Sequence, residues 1–307
     1  MKNSLRYFIL FTFFQVGLFA QQKDSTDLLE QYESIFSKLP NWDKNSANIQ
    51  PFGSGCSNQN YLLTIDQVRY FIRIGSPSRQ FLGLDSSKEY SIMQLAASLD
   101  LTPKILAADV DKEIIVMPFI ESKPVDLHQR NYLVDTVKLL KKLHNSKQHL
   151  SFSATPEEII SFYLEKINEL KIELSPLQID LINRRPKLSL VPLVPCHLDL
   201  KGENVLDDGE RLWLIDWEYG AMSEPFFDLA SLASADSFTV DEMDELLNIY
   251  AESPSQEMRQ RLKQLRILAD LRWALWALIQ MRTSSLDLPY EKWADELFNE
   301  VKQGLSN

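Results

Sequence analysis

The stretch Val194-Pro195-Cys196-His197-Leu198-Asp199-Leu200-Lys201-Gly202-Glu203-Asn204-Val205-Leu206-Asp207-Asp208-Gly209-Glu210-Arg211-Leu212-Trp213-Leu214-Ile215-Asp216-Trp217-Glu218-Tyr219 decides the fold. Asp208-Gly209 is a tight-turn dipeptide between apolar segments and predicts a hairpin. With those two residues at the turn centre, Asp207 would face Glu210 and Asn204 would face Trp213. Asn204 and Asp216 then share one end of the hairpin, and Asp199 sits in the loop that leads into it. Two carboxylates and an amide oxygen converge. Hard oxygen ligands, few in number, suit an Mg²⁺ that substrate phosphates also hold. The plain alternative is a hairpin with surface acids, in which His197 packs or braces a loop.

The pattern His-x-Asp-x-x-x-x-Asn, followed by an Asp after an apolar strand, resembles the catalytic arrangement of protein kinases. On that resemblance Asp199 is the base that accepts the hydroxyl proton. Asn204 and Asp216 are the metal ligands, Lys201 reaches the moving phosphoryl group, and His197 belongs to the same loop. Such chemistry is mostly positioning and electrostatics.

Within the kinase-like proteins the chain resembles the aminoglycoside phosphotransferase and choline kinase superfamily, and most of all bacterial choline kinases. Cys196-His197-Leu198-Asp199-Leu200, Leu214-Ile215-Asp216-Trp217-Glu218-Tyr219 and Phe227-Asp228-Leu229-Ala230 carry the likeness, which covers roughly residues 48 to 300. The resemblance implies a two-lobed α+β protein-kinase-like fold with a small antiparallel β lobe and a larger helical lobe. It implies ATP and Mg²⁺ as cofactors. Gly53, Gly55 and Asn58 would lie in a nucleotide loop whose amides cradle phosphates. Arg73 would pair with the phosphates, Glu89 would brace Arg73, and Met117 and Phe119 would line the connector that receives adenine. Asp228 would cap a helix and prop the catalytic loop.

The acceptor is read from Trp273 and Trp276, which share a helix face. They resemble the Trp-x-x-Trp-x-x-x-Gln stretch with which choline kinases box a quaternary ammonium. Tyr290 resembles the tyrosine that helps close that box, and Glu218 is a further candidate on the substrate side. The chain departs from the family after Asp228, where only Asp236 can replace an acidic residue facing the cation. Arg272 also sets a positive charge beside Trp273. The expected substrate is a small cationic amino alcohol, choline first, with ethanolamine, thiamine and an aminoglycoside as alternatives. An activation segment ending in Ala-Pro-Glu is absent after Asp216, which disfavours a protein kinase. A rival of another class is an exported, non-catalytic binding protein that keeps the fold.

Outward from this core, Tyr61–Ile65 and Val68–Ile74 are rich in β-branched and aromatic residues and predict a hairpin about Asp66-Gln67. Helical spacing covers 27–38, 86–99, 130–146, 156–172 and 259–282. Glu113–Met117 predicts a strand stopped by Pro118. Residues 23–120 are thus expected as the N-terminal lobe with the nucleotide loop and hinge. Residues 121–307 are expected as the helical lobe with the catalytic loop and acceptor pocket.

The 307 residues are ample for a buried core, and 45% hydrophobic with 24% charged residues describes a globular chain. Two cysteines, Cys56 and Cys196, support neither a disulfide framework nor a zinc site. A formal charge of −11 disfavours a nucleic-acid partner. Residues 1–22 form an apolar, leader-like segment behind Lys2 and Arg6. Its apolar run is short for a membrane span, so any membrane contact would run through residues 5–20. Use of ATP favours a cytoplasmic location over export. Nothing in the sequence fixes the oligomeric state.

Overall fold

The computed structural model describes residues 25–53 and 57–306. The expected leader at 1–22, the membrane contact at 5–20 and Gly55 of the nucleotide loop lie outside the described residues. The chain divides into two units, each with its own interior. The first comprises residues up to Gln80, Pro103–Ile120 and Ser284–Asp287. The second comprises Phe81–Thr102, Glu121–Thr283 and the residues from Leu288.

The first unit is built on an antiparallel sheet of β1 (Asn48–Pro51), β2 (Asn58–Ile65), β3 (Val68–Gly75), β4 (Ala107–Asp109) and β5 (Ile114–Pro118) in the order β1-β2-β3-β5-β4. The predicted hairpin is present, with Ile65 opposite Val68. Asp66 and Gln67 take φ of 46° and 72°. Two consecutive left-handed residues match the right-handed twist of the strands they join. Alternation along β2 and β3 sends Tyr61, Leu63, Ile65, Tyr70, Ile72 and Ile74 into one core. Helices α1 (Ser25–Gln31) and α2 (Glu33–Phe36) add Leu28, Tyr32, Ile35 and Phe36 to it. One helix was expected over 27–38; Tyr32 breaks it into two.

The second unit is mainly helical: α3 (Ser86–Ser98), α4 (Arg130–His144), α5 (Pro156–Glu169), α6 (Pro176–Arg184), α7 (Pro225–Ala235), α8 (Val240–Tyr250), α9 (Gln256–Thr283) and α10 (Tyr290–Gly304). The starts are written in the sequence. Asp85 caps α3 by accepting from the N–H groups of Ser87 and Lys88. Thr155 with Glu158, Ser175 with Gln178 and Thr239 with Glu242 form capping boxes at α5, α6 and α8. Pro156 and Pro176 hold first-turn positions, where a missing N–H costs nothing. Helix α9 packs against α5, α7 and α10 and buries residues on all sides between Leu265 and Gln280. No helix of the described residues is long and apolar enough to cross a membrane.

Two short ribbons carry the decisive stretch: β6 (Val194–Cys196) with β9 (Ala221–Ser223), and β7 (Val205–Asp207) with β8 (Leu212–Leu214). The turn at 208–209 differs from expectation. Asp207 faces Leu212, so the loop holds four residues rather than two. Asp208 Oδ1 accepts from the N–H groups of Glu210 and Arg211 at 2.9 and 2.8 Å, and this side-chain turn widens the loop. Asn204 therefore pairs with Ile215, whose N–H donates to Asn204 O at 3.0 Å, and not with Trp213.

Candidate active site

The site of the second unit grows from β6 and the loop that follows it. Leu198 adopts φ 64° and Asp216 adopts φ 64°. Neither residue is glycine, so both conformations are strained and must be held by their surroundings. Asp228 supplies one restraint. It is fully buried and accepts from His197 N at 2.9 Å, Leu198 N at 2.6 Å and His144 Nε2 at 2.9 Å. Burial alone would raise its pKa, but the hydrogen bond and charge of His144 and the backbone donors hold it below the usual carboxylate range. Asp228 was expected to cap a helix. Instead α7 starts at Pro225, Glu224 takes the cap position, and Asp228 lies within the first turn, aimed at the loop.

Asp199 is buried, at 4% exposure. Its Oδ2 accepts from Asn204 Nδ2 at 3.1 Å and from Lys201 Nζ at 3.5 Å. Asn204 Nδ2 also donates to Asp199 O at 2.7 Å, so the amide oxygen is the atom Asn204 has for a cation. Asp199 Oδ1 is buried with no hydrogen-bond partner among the described residues. Burial raises the pKa of Asp199, Lys201 lowers it, and the charge of Asp216 raises it again. Two mutually repelling carboxylates with an amide oxygen are a donor set that suits Mg²⁺.

His197 is fully buried and serves the loop. Its Nε2–H donates to Ile215 O at 2.8 Å, its Nδ1 accepts from Asp199 N at 3.3 Å, and its ring packs on Trp217 at 4.5 Å between centroids. Asp236 does not meet the tryptophans. It accepts from Gly202 N at 3.1 Å and braces the turn between Asp199 and Asn204. Burial pushes its pKa up to about 6, against the opposing hydrogen bond from Gly202.

Trp273, Trp276 and Tyr290 do come together. Edge-to-face contacts run from Tyr219 to Trp273 (5.9 Å), to Trp276 (5.7 Å), to Tyr290 (6.0 Å) and to Trp293 (5.3 Å). Glu218 is buried at the head of this row, where its charge raises the pKa of both Tyr219 and Tyr163 behind the larger effect of burial.

The proposed nucleotide residues belong to the first unit, Glu89 excepted. Gly53 has φ 66°, open to glycine at no steric cost. Asn58 Oδ1 accepts from Arg79 Nη1 at 2.6 Å. Arg73 is buried on β3 opposite Asn60 and Ile115. Met117 is the penultimate residue of β5, and Phe119 packs edge-on against Phe52 at 5.2 Å. Glu89 lies buried in the first turn of α3, in the second unit.

Sequence reasoning missed Arg79, His144, Tyr250 and the placement of Arg272. Tyr250 hydroxyl meets His144 Nδ1 at 2.8 Å, extending the support beneath Asp228. A buried histidine ending the apolar face of α4 was the available signal. The nitrogen, sulfur and oxygen ligand atoms of His144, Cys196 and Asp228 lie within 4.8 Å of one another. His144 and Asp228 are already spent on each other and on the loop backbone.

A phosphotransferase enzyme family model matches residues 48–265. Protein LicA of Haemophilus influenzae is 28% identical over 258 residues, 75% of this chain and 73% of that protein. The choline kinase LicA from Streptococcus pneumoniae superimposes with a TM-score of 0.74 at 24% identity, covering 91% of this chain and 98% of the other. A choline/ethanolamine kinase family protein from Mesorhizobium loti also gives 0.74, at 22% identity, over 92% of this chain and 96% of its own. These neighbours establish the kinase-like α+β fold. The family match spans well over half of the sequence and contains all of residues 194–219, and the chain belongs to the phosphotransferase enzyme family.

Proposed function

We propose that the protein is an ATP- and Mg²⁺-dependent kinase of a small amino alcohol, with choline the first candidate. One observation carries the choice of acceptor: a row of aromatic rings that begins at Tyr219, just after the Asp216 loop, and continues on α9 and α10. Ring faces of this kind attract an ammonium. In the reaction the acceptor hydroxyl oxygen forms a bond to the γ-phosphorus as the bond to the ADP oxygen breaks. Asp199 takes the hydroxyl proton. Asn204 fixes the orientation of Asp199 and, with Asp216, would hold Mg²⁺. Bound metal would supply charge neutralisation on the phosphates. Lys201 stands beside Asp199 as a second positive charge for the moving phosphoryl group. His197 holds the loop from behind.

In this reading residues 23–120 supply the nucleotide loop and connector, with Gly53, Gly55, Asn58, Arg73, Met117 and Phe119. Residues 121–307 supply the base and the acceptor pocket. The demand for ATP places the enzyme in the cytoplasm. An aminoglycoside would call for a broad acidic surface. The acids of α8 do line a shallow groove with Arg130, but Glu245 pairs with Arg130 and Asp244 with Arg259. That neutralisation favours the smaller acceptor.

The test is Mg²⁺-dependent ADP release with choline, ethanolamine, thiamine and kanamycin, with Asp199→Ala alongside. Turnover of choline or ethanolamine that the variant loses supports the reading. Turnover of kanamycin alone would remove the amino alcohol. No thermal shift with ATP and Mg²⁺ would leave a non-catalytic binding protein.

A further inference from the structure

The ring row already carries a cation. Arg272 is fully buried, one residue before Trp273 on α9. Its guanidinium carbon lies 4.5 Å from the centre of the Tyr219 ring and 4.3 Å from that of Trp273. Its Nη1 donates to Leu198 O, in the strained catalytic loop. Two rings of the row thus share a charge that belongs to the protein. A ligand ammonium gains little by displacing it, because the buried guanidinium and Leu198 O would both lose a partner. A second cation placed alongside would meet like-charge repulsion in a poorly solvated site.

We infer that Arg272 is a specificity-determining residue. It fills the Tyr219–Trp273 end of the row and bars an external onium from those faces, leaving the substrate head to the Trp276–Tyr290 end. The inference rests on the row being the wall of the acceptor pocket. With fewer faces available to methyl groups, choline and ethanolamine are handled within about tenfold of each other, about one desolvated ring contact.

The experiment pairs two readouts on the full chain. One is the affinity of tetramethylammonium, by calorimetry. The other is the ratio of kcat/KM for choline to that for ethanolamine. Arg272→Met should tighten tetramethylammonium about tenfold and raise the ratio by a similar factor, while kcat falls for both alcohols as Leu198 O loses its donor. Arg272→Lys keeps the charge and should leave the ratio near the wild-type value. A purely structural role would lower kcat for both alcohols and leave ratio and affinity unmoved, which overturns the inference. Absence of tetramethylammonium binding in every variant overturns it too, since removing the guanidinium would have opened nothing. Should Arg272→Met fail to fold, Trp276→Leu and Trp273→Leu decide in its place. Loss of tetramethylammonium binding with the first and not the second supports the inference, and any other pattern overturns it. Wild-type turnover of neither alcohol removes the amino-alcohol reading, and the tetramethylammonium arms still decide the role of Arg272.

Discussion

Replacing Asp228 by alanine should cost both stability and turnover, and the structure sets the size. The carboxylate is fully buried and accepts three hydrogen bonds, at 2.9 Å from His144, 2.9 Å from His197 N and 2.6 Å from Leu198 N. Alanine leaves all three donors buried and unmatched. Removing one partner of a buried charged set costs ~3–5 kcal/mol. At about 2 °C per kcal/mol, the lower end for large domains, Tm falls by about 6–10 °C. The left-handed Leu198 also loses its anchor, so Asp199 drifts. Misplacement on the order of 1 Å costs about 10²-fold, and we expect that loss in kcat more than in KM. Linkage adds a pH signature. The folded pKa of Asp228 is depressed, so its contribution is complete above the unfolded carboxylate pKa and is lost as pH falls through the lower folded value. The Tm difference between wild type and Asp228→Ala should therefore hold at neutral pH and shrink below about pH 4. Differential scanning calorimetry across pH, with ADP release at saturating alcohol, tests this. A variant melting within about 2 °C of wild type, with kcat unchanged, would refute the account of the loop.

Three further substitutions probe other links. Asp199→Asn should lower kcat by about 10²–10⁴-fold and raise Tm, because burial makes the ionised carboxylate costly and Oδ1 has no partner among the described residues; a lower Tm would count against that cost. Asp236 titrates at about 6, a raised value, so it contributes a stability that is present at acid pH and lost as pH rises through that value. Asp236→Asn should flatten the decline in Tm between about pH 4 and 6, and an unaltered slope would assign it to another group. Gly220→Ala would set a Cβ 2.8 Å from Ile92 Cγ1 and 3.1 Å from Trp217 O, costing ~1–3 kcal/mol by overpacking. Adding Ile92→Ala should recover part of the loss, and strict additivity in the double-mutant cycle would deny the clash.

The ribbon over residues 194–219 and the loop that leads into it were legible because their parts are local. His197, Asp199, Asn204 and Asp216 lie within one ribbon and its leader, and their spacing leaves the chain few ways to fold. The register error at Asp208 shows the limit. Widening the loop from two to four residues moves Asn204 from Trp213 to Ile215. A shift of two residues keeps each side chain on its own face, so Asn204 and Asp216 stay together despite the error. Strands β1 and β4 escaped detection because four and three residues carry almost no alternation. Helix α6 escaped for want of a long apolar face, although Ser175-Pro176 with Gln178 signalled its start. Arg272 was illegible for a different reason. Helix α9 is buried on every side in its middle, so periodicity assigns no direction to residue 272, and only the placement of Tyr219 from a distant loop shows what the guanidinium touches. Asp236 follows α7 as its C-cap and accepts from Gly202 N, a placement that its sequence register left open.

Cys196 ends β6, directly before the catalytic loop, and is fully buried. Burial, reinforced by the charge of Asp228, pushes its thiol well up from the ordinary range. Thiolate is the reactive form, so the folded strand is inert towards alkylating reagents. Reaction requires β6 to part from β9. With Cys56 replaced by serine, Cys196 becomes the single thiol of the chain. Its rate of labelling would then time the fluctuations that release the loop carrying Asp199, a local opening that heat denaturation averages into the whole. Silent in the chemistry, the thiol is a built-in clock for how often the active site comes apart.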